Sequence, residues 1–158
     1  MNIQLICVGK LNERYWKEAV AEYQKRLSNY CTISIEEVKE ARLTDSSSEA
    51  EEKVKDAEGK QIIRKLNRGA YVIALDVQGK QLSSEEFARK IEDLGIEGKS
   101  NIAFIIGGSI GLSKEVLDLA DLRLSFSKMT FPHQMMRVIF LEQLYRAFKI
   151  MKNETYHK

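Results

Sequence analysis

An α/β fold, with a mostly parallel sheet flanked by helices, is what this 158-residue sequence predicts, and two observations predict it. Apolar runs of strand length alternate with amphipathic stretches of helix length along the whole chain. Two of those runs, Tyr71-Val72-Ile73-Ala74-Leu75 and Ile102-Ala103-Phe104-Ile105-Ile106, are continuously apolar, as central parallel strands covered on both faces must be. The length suits one domain over residues 1–158, because two halves would each be short of core, and no repeat or linker divides them.

Taken in order, the strands are expected near residues 2–8, 32–38, 70–76, 101–106 and 122–126. Helices fill the gaps, near 12–29, 49–66, 83–94, 113–120 and 133–152. Residues 40–50, with Ser46-Ser47-Ser48 among acids, read as a surface loop before the second helix. Ser83 with Glu86 three residues later is a capping box for the third. Ser113 is placed to cap the fourth, and Pro132, the only proline, stands at the expected first position of the fifth.

With 44% apolar and 30% charged residues, the chain is neither disordered nor fibrous. Its longest unbroken apolar runs fall far short of the roughly 20 residues that span a bilayer, so no membrane helix is expected. The first strand-like run begins at Ile3 without a basic leader, which points to cytoplasmic residence. Cys7 and Cys31 sit in neither metal-ligand nor redox spacing, so packed thiols and no metal are expected. The net charge of +2 is small but unevenly distributed. From residue 123 onward seven Lys or Arg face two acids, a balance of +5, which leaves the remainder at −3. Such a basic segment either contacts phosphates or is a solvated helix face.

Ligands of open α/β sheets collect at the carboxyl ends of strands, which directs attention to three loops. They are Asp76-Val77-Gln78-Gly79-Lys80, Gly107-Gly108-Ser109-Ile110-Gly111-Leu112-Ser113, and Ser125 through His133. The glycines of the second would let backbone amides approach a ligand, or would simply make a tight strand-to-helix turn. His133 projects from the first turn of the last helix, where a lone histidine is more often a structural hydrogen-bonding group than a catalyst. That helix has one narrow polar stripe, Gln143, Arg146, Lys149 and Lys152, and is otherwise mostly apolar. Apolar character over most of its circumference predicts a homodimer built on it, the other reading being a fully wrapped core helix.

Gly107-Gly108-Ser109, the run Leu124 to Met129, Phe131-Pro132-His133-Gln134-Met135-Met136-Arg137, Glu142 to Ala147 and Tyr156-His157-Lys158 occur in one order and nearly one spacing in a single family. Over essentially its full length the chain resembles the SPOUT-class bacterial 23S ribosomal RNA (pseudouridine-N3) methyltransferases, the large-subunit methyltransferase H family. The resemblance implies an α/β-knot fold with a deep C-terminal trefoil knot, a homodimer, and S-adenosylmethionine bound in the knot. It also implies, as substrate, the intersubunit-bridge hairpin (helix 69) of 23S rRNA, on the assembled 70S ribosome.

By residue, the resemblance places the cofactor against Leu75, Gly107, Leu124, Ser125, Phe126, Ser127, Lys128 and Met129. It makes Tyr156 and His157 the catalytic candidates, Tyr156 to stack on a splayed base and His157 to assist loss of the N3 proton. Arg146, Lys149, Lys152 and Lys158 are expected phosphate contacts, and Arg137 either another or a dimer-interface group. Two positions depart from the family pattern. Ile110 stands where a polar residue is common, and Lys158 where arginine is, which loses the planar fork of a bidentate phosphate contact. Two rivals stay open: a non-catalytic ribosome-binding protein, and a nucleotide hydrolase using Asp76 as its metal-binding acid.

Overall fold

The computed structural model describes residues 1–158. Five strands and five helices alternate: β1 (Asn2–Val8), α1 (Arg14–Leu27), β2 (Thr32–Val38), α2 (Ser48–Lys65), β3 (Tyr71–Gln81), α3 (Ser84–Ile96), β4 (Asn101–Ile106), α4 (Lys114–Leu119), β5 (Leu122–Ser125) and α5 (His133–Met151). The strands form one sheet in the order β2-β1-β4-β3-β5, every neighbouring pair parallel. Nine of the ten elements lie within two residues of the expected bounds; β3 runs five residues further.

The two apolar runs are β3 and β4, at the middle of the sheet, and both of their faces are covered. One core cluster unites Leu5, Ile73, Ile102, Phe104 and Ile106 with Phe87 and Ile91 of α3 and Phe140, Leu141 and Leu144 of α5. The other joins Ile6, Val8, Val72, Ala74, Ala103 and Ile105 to Ile62 of α2 and Val116 of α4. Alternation along each strand therefore feeds two separate hydrophobic layers. Phe104 and Phe140 meet at 4.5 Å between ring centroids, fixing α5 on the sheet. α5 packs between α1 and α3, so its neighbours within one chain are two helices as well as β4.

Helix starts follow their local chemistry. Ser47 caps α2 by accepting from the Ala50 N–H, and Ser113 caps α4 by accepting from the Val116 N–H. The Ser83–Glu86 capping box is complete, each side chain accepting from the other residue's backbone N–H. Pro132 is the N-cap of α5 rather than its first helical residue, one position earlier than expected.

The longer β3 corrects the expected loop at 76–80. Leu75 pairs with Leu124, the chain bulges outward over Asp76 to Gly79, and Lys80 then pairs with Leu124 again. Gly79 lies so close to β5 that a Cβ there would stand 2.6 Å from the Arg123 carbonyl carbon. Only glycine closes this excursion without moving backbone.

Candidate active site

The carboxyl ends of β3, β4 and β5 enclose a cavity of about 740 Å³, well inside the roughly 300–1,000 Å³ range of small-molecule sites. Each wall comes from a different loop. The β3 excursion brings Leu75, Asp76, Val77 and Gln78; the loop after β4 brings Gly107 to Leu112; the segment after β5 brings Leu124, Phe126, Ser127 and Met129 to Pro132. His133 and Met136 of α5 complete the lining.

The glycine loop is tight for reasons of its own. Gly111 adopts φ +90°, and its N–H donates to the Gly108 carbonyl at 3.1 Å. A Cβ on Gly107 would sit 2.9 Å from Leu112 Cδ2, so any side chain there would displace the loop from the cavity wall. Beneath the loop lies Glu58, almost wholly buried, with one carboxylate oxygen accepting from the Ala41 N–H and the other without a partner. Burial pushes its carboxyl above the usual carboxylate range, and nearby Glu40 adds to the rise.

Six of the eight residues expected around a cofactor line this cavity: Leu75, Gly107, Leu124, Phe126, Ser127 and Met129. Ser125 is buried behind the wall, where its hydroxyl donates to the Ser127 carbonyl at 3.0 Å and shapes the loop. Lys128 is exposed and outside the lining. His133, which was not among the expected site residues, lines the cavity as well. Its position straight after Pro132, following a strand-end loop, was the signal that could have found it.

The C-terminal tail lies elsewhere. Neither Tyr156 nor His157 lines the cavity. Tyr156 packs edge-on against Tyr145, under the Arg146 guanidinium, and its hydroxyl donates to Glu142 at 3.0 Å. Burial and Glu142 push that hydroxyl up to about 12, so it is a neutral phenol near pH 7. His157 is engaged at both ring nitrogens, Nδ1 3.2 Å from Arg146 Nη1 and Nε2 2.7 Å from Glu85 Oε1. A neutral ring with its proton on Nε2 satisfies both contacts. In this arrangement the imidazole has no lone pair free to take a proton from a substrate.

Three expected phosphate contacts are also occupied. Arg137 is 1% exposed and turned inward, donating to Glu37 at 2.8 Å and to the carbonyls of Gly9 and Val8 at 2.7 and 3.3 Å. Within this chain it ties α5 to the ends of β1 and β2, which corrects the reading of it as a phosphate contact. Arg146 is paired with Glu142 at 2.5 Å and Lys149 with Glu154 at 2.5 Å, which also holds the Lys149 ammonium well above its ordinary range. Lys152 and Lys158 are exposed. Of the basic balance read along the chain, Glu37 and Asp118 from outside the segment neutralise Arg137 and Arg123, and the excess that remains sits on Lys128, Lys152 and Lys158.

The family comparison matches residues 1–157 to the model described as "Predicted SPOUT methyltransferase". The chain is 58% identical over 159 aligned residues to the Ribosomal RNA large subunit methyltransferase H of Clostridium novyi (strain NT), covering all of both chains. It is 54% identical, again over the whole of both, to the protein of the same name from Clostridium kluyveri. Among solved structures, a putative methyltransferase from Legionella pneumophila, in complex with the bound cofactor SAM, superposes with a TM-score of 0.50 at 13% identity, over 96% of this chain and 66% of that one. At such identity the likeness concerns the fold. A parallel five-stranded α/β sheet, a cavity at its carboxyl ends and a family match along nearly every residue agree: the chain belongs to the SPOUT methyltransferase family.

Proposed function

We propose that this protein transfers the methyl group of S-adenosylmethionine to N3 of a pseudouridine in the helix 69 hairpin of 23S rRNA, on the assembled ribosome in the cytoplasm. The observation that carries the reading is the cavity, lined by six of the residues expected there, in a chain 58% identical end to end to a ribosomal RNA large subunit methyltransferase. The cavity suits the cofactor. Leu75, Leu124, Phe126 and Met136 give apolar walls for a flat adenine, and Gly107 keeps backbone close where a Cβ would intrude.

Bound there, S-adenosylmethionine supplies an electrophilic methyl on a sulfonium. The protein must align the acceptor nitrogen with that carbon and exclude water, so positioning dominates the rate enhancement. N3 of a neutral pseudouridine carries a proton that has to leave as the methyl arrives. We assign this step to the Tyr156-His157 tail, with His157 released from Arg146 and Glu85 when the tail closes on an acceptor. The homodimer is part of the reading: Met135 and Ile139 are half-buried on α5 without belonging to either core cluster, and Met129 and Phe131 stand exposed beside them in sequence. A tail from one chain could then close the cavity of the other. The knot implied by the family resemblance belongs to this reading as well. Lys128, Lys152 and Lys158, which form no ion pair, are its phosphate contacts.

The test is transfer of radiolabelled methyl from S-adenosylmethionine to ribosomes lacking the modification, with His157→Ala and a chain ending at Thr155 assayed beside the intact protein. Label at the pseudouridine, lost in both variants while cofactor binding persists, is the expected result. Tight ribosome binding with no label from the intact protein overturns it in favour of a non-catalytic ribosome-binding protein.

A further inference from the structure

The cavity contains two ionisable side chains, Asp76 and His133, and neither lysine nor arginine. S-adenosylmethionine is chemically two-ended. Its adenosine asks for apolar walls, while its amino-acid end carries an ammonium and a carboxylate that lose water on binding and need charged or strongly polar partners in return. Apolar walls are abundant here; among the polar side chains of the lining, Gln78, Ser109, Ser127 and Thr130 are neutral, and Asp76 and His133 are the ionisable two.

Both are available. Asp76 uses one carboxylate oxygen to accept from the Gln78 N–H at 3.2 Å, which fixes the excursion of β3 and leaves the other oxygen unused. His133 makes no hydrogen bond through its ring within the chain. Its Nε2 approaches Gly9, 3.5 Å from where a Cβ would stand, and Glu40 Oε2 reaches the same point at 3.6 Å from the loop after β2. With neither ring nitrogen engaged, the side chain lines the cavity with its donors uncommitted. His133 is also the first residue of the 19-residue helix α5, whose positive dipole end adds to the attraction for an anion. Glu40 from the β2–α2 loop thus shares the neighbourhood of the ring, and Arg137, one turn along α5, has its guanidinium held by Glu37 and two carbonyls.

We propose that His133 and Asp76 form the subsite for the amino-acid end of S-adenosylmethionine, the His133 ring donating to its carboxylate and the Asp76 carboxylate accepting from its ammonium. The proposal rests on the cofactor reading above and adds to it the orientation of the cofactor, with the amino-acid end between the β3 excursion and the start of α5. The two histidines of the chain then have separate roles, since His133 holds the donor molecule while His157 serves the acceptor.

The test compares binding of S-adenosylhomocysteine with that of 5′-methylthioadenosine, which keeps the adenosine and lacks the amino-acid end. Titration calorimetry would be run on the intact protein, His133→Ala and Asp76→Asn. Each variant should bind S-adenosylhomocysteine about tenfold or more weakly, the loss expected for a hydrogen bond to a charged group, with methylthioadenosine affinity unchanged within about twofold. Retained methylthioadenosine binding shows that the variant cavity is folded. Equal loss for both ligands, or loss for neither, overturns the subsite while leaving the methyltransferase reading intact. Failure of the unaltered protein to bind either ligand overturns the cofactor reading itself, and this proposal with it.

Discussion

The two histidines of this chain are set in opposite ways. His133 lines a cavity with its ring unpartnered, whereas His157 lies outside the cavity with both ring nitrogens engaged by Arg146 and Glu85. The difference extends to their surroundings. The cavity end is built from backbone held close by glycines, and the tail end from a polar web of Glu142, Arg146, Tyr156, His157 and Glu85 laid over Tyr145. A backbone-built wall cannot yield without strain. A web of partly exposed hydrogen bonds can exchange one set of partners for another at small cost, because the net value of each such contact is about 1 kcal/mol or less. A fixed cavity and an exchangeable tail suit a donor molecule that must be held still and an acceptor that must be admitted.

The sharpest way to break this contrast is Gly79→Ala. The added Cβ meets Arg123 backbone at 2.6 Å, so the cavity wall must shift. We expect a loss of about 1–3 kcal/mol in stability by denaturant titration, together with loss of S-adenosylhomocysteine binding. A variant as stable and as tight as the parent would show that the wall is pliable after all.

Removing the tail should do much less to the fold. Ending the chain at Thr155 deletes the Tyr156–Glu142 and His157–Glu85 contacts but leaves the Arg146–Glu142 pair. Stability should fall by about 1–2 kcal/mol and cofactor affinity should change less than about twofold. A cofactor site that vanished with the tail would mean that the two ends are one structure.

Glu58 offers a pH-dependent handle on the cavity end. Its carboxyl is raised by burial, so the folded chain keeps that proton to higher pH than the unfolded chain does. The favourable contribution is complete below the unfolded carboxylate value and is lost as pH rises through the folded one. Relative to Glu58→Gln, the parent should therefore lose stability as pH rises from about 4 toward 7. Calorimetric Tm differences that stay flat over that interval would contradict a buried, partnerless oxygen.

Smallest of all should be Tyr156→Phe, which removes one hydroxyl donating to Glu142 at 3.0 Å and keeps the ring against Tyr145 and Arg146. A loss of about 0.5–1 kcal/mol is expected, and a larger one would make the tail a rigid element.

Much of this was legible along the chain because local rules govern it. The Ser83–Glu86 cap and the apolar runs of β3 and β4 needed only neighbours within a few residues to be read. The excursion at 76–79 was not legible, since it depends on β5 passing within van der Waals range of Gly79, and β5 begins more than forty residues later. Arg137 misled for the same reason: a basic residue on an amphipathic helix looks like a surface group until the carbonyls of Val8 and Gly9 and the acid of Glu37 are brought to it from the other end of the chain. The resemblance singled out loops that the structure gathers around one cavity but could not say that Lys149 would spend its charge on Glu154, or that the tail would rest on α5.

By itself, the sequence determined the alternation of elements, the two-sided burial of the central strands and the residues grouped at their carboxyl ends, because periodicity and capping act over short spans. Only the tertiary structure decided which charges stay free, which glycines are obligatory and which histidine faces the cavity. Those outcomes depend on long-range contacts, where each donor, acceptor and methyl group competes for partners that no local pattern contains.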